Sequence, residues 1–275
     1  MSIGAGATRG GGDGARHEAG APTRETAMTT TQPHSTTTGN TTTGSTTTGS
    51  TTTHATATCD DGWTPTHVTR SLLGWGVVAG PFYVVVSLAQ AVTREGFELT
   101  RHQWSLLENG DLGWLQVTNF VLTGLMLLAF AVGLRRALAG ERRGRSASVL
   151  TGVFGACLVA AGVLRADPAL GFPVGTPEGV GSVTAHGIGH FAAAGVGFVS
   201  IGAACFVLAR RFSREGGRGL AVFSRITGVV FLGGFLCVAS GAGSVAANLL
   251  FTGAVVLVFA WISVVAVHLY RVLAD

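Results

Sequence analysis

Leu72-Leu-Gly-Trp-Gly-Val-Val-Ala-Gly-Pro-Phe-Tyr-Val-Val-Val-Ser-Leu-Ala-Gln-Ala-Val92 runs for 21 residues without an Asp, Glu, Lys or Arg. As a helix it would be roughly 31 Å long, enough to cross one hydrocarbon core. Five further stretches of the same kind follow, at about 115–138, 148–164, 187–208, 224–243 and 248–269. All are apolar nearly all round, whereas helices of a soluble domain keep a polar face. Strands of a membrane barrel would be about ten residues long and would alternate polar with apolar. The expected fold is therefore an all-α membrane protein, a six-transmembrane-helix bundle over residues 67–275. Pro81, inside the first span (72–92), is expected to kink it.

Composition agrees with this solvent. Charged residues make up 12% of the chain, about half the usual share for a globular domain. The formal charge of +4 does not point to nucleic acid, because the basic residues flank apolar runs instead of clustering on a wet face. The expected partner is the lipid bilayer. All 18 basic residues are Arg, which together with the Ala, Gly and Val content points to a GC-rich bacterial genome.

The arginines also predict orientation. From Arg70 onward, twelve fall before the first span, after the last, or in and beside the second and fourth connections; only Arg94, Arg101 and Arg165 fall on the other side. Both termini should be cytoplasmic and the protein a multi-pass component of the plasma membrane. Arg225, just inside the fifth span, is expected to snorkel to the interface.

Residues 1–66 differ in kind. Thr41-Thr-Thr-Gly-Ser-Thr-Thr-Thr-Gly-Ser-Thr-Thr-Thr53 repeats every five residues and offers almost nothing to bury, so a disordered tail is expected. It has no apolar core of a signal peptide. A mucin-like stalk would need the opposite orientation, and Met28 offers an alternative start.

Between helices in lipid, small residues must mark the contacts. Gly152, Ala156 and Ala160 fall four apart in the third span, Gly189, Ala193 and Gly197 in the fourth, and Ala129 with Gly133 in the second. These stripes leave a homo-oligomer open. Cys59, Cys157, Cys205 and Cys237 form no CxxC pair and are expected to pack as small apolar residues.

The polar residues gather on the outer side. The first outer loop carries His102, Glu108 and Asp111, with Trp104 and Trp114 placed for an interfacial belt, and Gln116, Asn119 and Thr123 mark one face of the second helix. The second outer loop holds Asp167. The fourth span opens with His186-Gly-Ile-Gly-His190, two histidines four apart on one face, expected to point into the bundle. Three readings stay open: hydrogen bonds that tie helices and loops together; a zinc site completed by Asp167, His102 or Glu108; or a vestibule sensitive to protons or ligand. No cofactor is expected beyond that zinc. A zincin motif would need Glu where Gly187 stands, and neither a phosphate-cradling glycine loop nor a GxSxG elbow occurs, so no catalytic residue is assigned.

Gly96-Phe-Glu-Leu-Thr-Arg-His-Gln-Trp-Ser-Leu-Leu-Glu-Asn-Gly-Asp-Leu-Gly-Trp-Leu-Gln-Val-Thr-Asn-Phe120 resembles the first-loop signature of a bacterial membrane family catalogued as domain of unknown function 998. Ala79-Gly-Pro81, Asp167-Pro168, the HGIGH segment and Leu208-Ala-Arg-Arg-Phe212 are similar to its other marks, over about residues 70–270. The resemblance implies membrane location and six helices, with no established activity. HxxxH on a spanning helix also resembles the zinc-binding element of membrane hydrolases such as ceramidases. The first functional expectation is a non-enzymatic membrane protein binding a small ligand in an outward-facing polar vestibule. The alternatives are a metal-dependent hydrolase and a small-solute transporter, the latter without an inverted repeat or a charge deep in the bilayer.

Overall fold

The computed structural model describes residues 65–274 apart from 180, 242 and 243, so the expected tail lies almost wholly outside the described residues, with Cys59. Six helices, α1 (Pro65–Thr93), α2 (Gly113–Ala137), α3 (Arg142–Leu164), α4 (Ala185–Arg214), α5 (Arg218–Ala239) and α6 (Val245–Val272), are each long and apolar enough to cross a bilayer. One short 3₁₀ helix, Trp104–Glu108, lies between α1 and α2, and no strand occurs among the described residues. The chain is an all-α integral membrane protein.

The helices outrun their apolar cores. α1 is described from Pro65, a residue suited to a first helical turn and about two turns before the expected Leu72. α4 carries its backbone ladder through Arg210 and Arg211 to Arg214, because Arg is a good helix former wherever its head reaches water. α5 stops at Ala239, short of the expected 243, where Gly241 takes a left-handed φ of 73° and unwinds the last turn.

Each helix packs against its neighbours in the chain, and α6 closes on α1, giving a ring of six. The end where α1 begins and α6 stops holds the twelve arginines and is filled by Leu73, Leu134, Leu208, Phe212 and Ile262, all fully buried. There Trp261 donates its indole N–H to Ser224 Oγ at 2.9 Å. Outward faces are apolar throughout, as at Val229 and Leu236, 62% and 65% exposed, which suits lipid and not water.

Close backbone approach holds the ring. The Gly189, Ala193, Gly197 stripe does meet α3: an added Cβ at Gly197 would lie 2.9 Å from Cys157 Cβ. On α3 the expected stripe is displaced by one position. Ala156 is exposed, and the tight crossing with α2 is made by Gly155, where an added Cβ would lie 2.9 Å from the Gly124 carbonyl.

Pro81 determines how the ring closes. It has no N–H for the Val77 carbonyl four residues earlier, and Ser263 of α6 supplies the missing donor, its hydroxyl 3.2 Å from Val77 O. Gly80 makes this approach possible, since an added Cβ would sit 2.8 Å from both Phe259 O and Ser263 Oγ. Ser263→Ala should therefore lower unfolding stability by about 1 kcal/mol. Gly80→Val should cost more, read as the thermal midpoint of the detergent-solubilised protein. An unchanged midpoint for Ser263→Ala would remove this account of closure.

Candidate functional site: a cavity behind the loops

In the half of the ring away from the arginine end the helices enclose a cavity of about 720 Å³. Its floor is Phe154, Val258 and Phe259, and its walls include Tyr83, Phe120 and Phe198. Asp167, His190, Arg101 and Asn248 border it toward the loops. The space is thus polar at the mouth and aromatic below, where the sequence had led us to expect a polar vestibule.

The mouth is built from helix ends. α3 stops at Leu164 because Arg165 takes φ 32°, which carries the chain off the helical path. The Ala161 carbonyl in that last turn is met by His190 Nδ1 at 3.0 Å, which assigns the ring proton to Nδ1. The turn also aims the Ala166 N–H at Glu108 Oε2, 2.9 Å away. Glu108 Oε2 and His190 Nδ1 lie 3.3 Å apart, so the first loop, α3 and α4 meet at one acid and one imidazole. Glu108 is 1% exposed, and its Oε1 has no partner among the described residues. Burial pushes its carboxyl up to about 8, against the pull of the Ala166 amide and the Arg165 charge. At neutral pH the Glu108–His190 contact is therefore a meeting of uncharged groups more than an ion pair.

Asp167 caps α4. Its Oδ1 accepts from the Thr184 hydroxyl at 2.6 Å and its Oδ2 from the Thr184 N–H at 2.8 Å, while Thr184 Oγ1 accepts from the Gly187 N–H at 3.1 Å. The Thr184 hydroxyl and amide hold its carboxyl below the usual range. A side chain at 187 would collide with this carboxylate, which explains glycine within HGIGH.

The other expected site residues separate. His186, at the second position of α4, is exposed instead of buried in the bundle. His102 is buried but spent, Nδ1 accepting the Glu98 N–H at 2.9 Å and Nε2 donating to Leu170 O at 2.9 Å. Asp111 is exposed. Gln116 and Asn119 are buried against α1: Gln90 donates to Gln116 Oε1 at 2.7 Å, and Asn119 donates to Ser87 Oγ at 3.1 Å. They join two helices and do not line the cavity. Among the described residues no group of three His, Cys, Asp or Glu side chains is placed to hold a metal ion.

Sequence reasoning missed the aromatic walls and two polar residues. Trp104, expected at the interface, is buried on the cavity with its ring 5.9 Å from that of Tyr83, and its indole N–H has no partner among the described residues. Trp114 is 57% exposed, as an interfacial ring should be. Asn248 ties α6 to the first loop, donating to Leu99 O at 2.8 Å and accepting from Gln103 at 3.1 Å. The signal available was the set of phenylalanines in mid-helix on α3 to α6.

The Glu108 carboxyl predicts a pH dependence. Its folded value lies above the ordinary 4.5, so the native state holds a proton that the unfolded chain releases. The stability this carboxyl contributes is fully present below about 4.5 and is lost as pH rises through about 8. Thermal midpoints across that range should fall for the wild type and flatten for Glu108→Gln; equal slopes would rule out Glu108 as the source.

A family model described as Protein of unknown function (DUF998) matches residues 77–268. No curated protein and no solved structure matches the chain. The match runs from the middle of α1 almost to the end of α6 and takes in the cavity, its floor and both loops that form its mouth. A model that spans more than half the chain settles kinship, and this chain belongs to the DUF998 family of proteins of unknown function.

Proposed function

We propose that the protein binds a small, largely apolar amphiphile in the cavity of the helix ring. The observation that carries this is the lining itself: aromatic rings at the floor and walls, with Asp167, His190, Arg101 and Asn248 confined to the mouth. Pockets for small molecules are concave and mostly apolar, with few polar groups to fix orientation. Here a chain or ring system would lie among Phe154, Phe198 and Phe259, and a polar end would meet the loop residues. No hydrolytic step is assigned, because His102 and Asp167 have their polar atoms engaged in holding loops.

Dansyl-undecanoic acid is a suitable probe. Added to protein in nanodiscs, it should give saturable emission excited through Trp104, absent from empty nanodiscs. Val255→Phe, which adds bulk to the cavity wall, should weaken binding roughly tenfold without lowering the thermal midpoint. Signal that never saturates, or that survives the bulkier wall unchanged, refutes the assignment.

Orientation belongs to the same proposal. Twelve arginines at the end where α1 begins and α6 stops support a plasma-membrane protein with both termini cytoplasmic and the mouth outside. A cysteine placed at the exposed Val174 should react with a membrane-impermeant maleimide added to intact cells, whereas one at Arg143 should react only after lysis.

A further inference from the structure

The helix ring does not wall the cavity equally on all sides. Ile188 and Phe191 of α4 line it and are 60% and 69% exposed, so neighbouring helices do not cover them. Across from them Val238 and Ala239, in the last turn of α5, line it too. Nearer the arginine end the same two helices are tightly joined. An added Cβ at Gly202 would lie 2.7 Å from the Leu232 side chain, and one at Gly228 only 3.1 Å from Cys205 Cβ. At Gly195 the contact loosens, an added Cβ finding only Phe235 Cζ at 3.9 Å. The α4–α5 seam therefore parts from Gly195 toward the loops. Phe191 lies about 9 Å along α4 from its first residue, and the flanking Val196 and Leu236 are exposed and apolar. This opening faces hydrocarbon.

The direct route from water is more obstructed. Arg101, on the cavity rim, pairs with Glu178 at 2.6 Å, linking the first loop to the loop before α4. Gln103 and Asn248, also on the rim, close on each other at 3.1 Å. A solute entering from water between these loops passes these contacts, whereas a chain already in the bilayer meets, among the described residues, the apolar Ile188, Phe191 and Val238.

We infer that the occupant is a bilayer lipid, one of whose apolar chains enters sideways between α4 and α5. This rests on the amphiphile-binding reading above and names its ligand class and its route. Transfer of a chain from lipid into this cavity changes little hydrophobic free energy, since both media are apolar. Preference must come from close contact with the aromatic walls and from a polar head beside the rim residues.

The test uses the full chain in phosphatidylcholine–phosphatidylglycerol vesicles that contain a phospholipid bearing a diazirine at the end of one acyl chain. After irradiation, adducts are mapped by peptide mass spectrometry. Inward-facing Phe154, Leu158 and Val255 should be labelled as well as outward-facing Val163 and Val229. Gly195→Phe, whose ring leans toward the loop end as helical side chains do, should cut interior labelling roughly tenfold and leave outward labelling unchanged. Val238→Trp obstructs the same seam from α5, should the first variant fold poorly. A diazirine fatty acid added in parallel separates the two sources of such a chain, and plug-sensitive interior labelling by either one supports the inference. Interior labelling that ignores both plugs overturns the lateral route. Absence of interior adducts while the dansyl probe still binds overturns the lipid assignment and leaves the binding function intact; loss of both overturns the two together.

Discussion

In hydrocarbon no solvent can meet a backbone carbonyl that its own helix leaves open, so another part of the chain has to. Two such carbonyls organise this bundle. Val77 O, deprived of its donor by Pro81, is met by Ser263 across the seam that closes the ring. Ala161 O, in the last turn of α3, is met by His190 and so brings α4 onto α3. In both places a glycine stands beside the contact: Gly80 lets α6 approach, and Gly189 sits where an added Cβ would lie 3.0 Å from Leu164. Hydrogen bond and small residue act together, since a donor of fixed reach requires the helix axes to be close.

The same rule explains why a membrane bundle contains so polar a loop assembly. Glu108, His102 and Asn248 are all buried, and each answers backbone groups that the turns leave free. They hold the first loop over the helix ends. With the loop so held, Trp104 covers part of the cavity, and the mouth has a defined rim. Among the described residues the Trp104 indole N–H and Glu108 Oε1 are exceptions in this loop, the latter on an acid kept in place by its other oxygen and kept neutral by its surroundings.

Spans, their order and the grouping of arginines were legible because each depends on a local run of residues. Which face of a helix meets which neighbour was not, since a helix that is apolar all round carries no directional pattern. The displacement from Ala156 to Gly155 on α3 shows this, as both positions read as small and apolar. The histidine pair shows a different limit. Spacing correctly put His186 and His190 on one face, but His190 lies a turn deeper, where α3 can reach it, and His186 stands exposed at a helix end. Gln116 and Asn119 were legible as a polar face; that this face meets Ser87 and Gln90, and not the cavity, required the partner helix.

The packed layer at the arginine end gives the cavity a bottom. Trp261 is held by Ser224, and Phe212, Leu208 and Ile262 are fully buried in the same layer. Whatever occupies the chamber stays within one leaflet's depth. To pass anything toward the arginine end, the ring would have to shed its largest buried side chain from a hydrogen-bonded seat, so in this conformation Trp261 stops the chamber at its inner end.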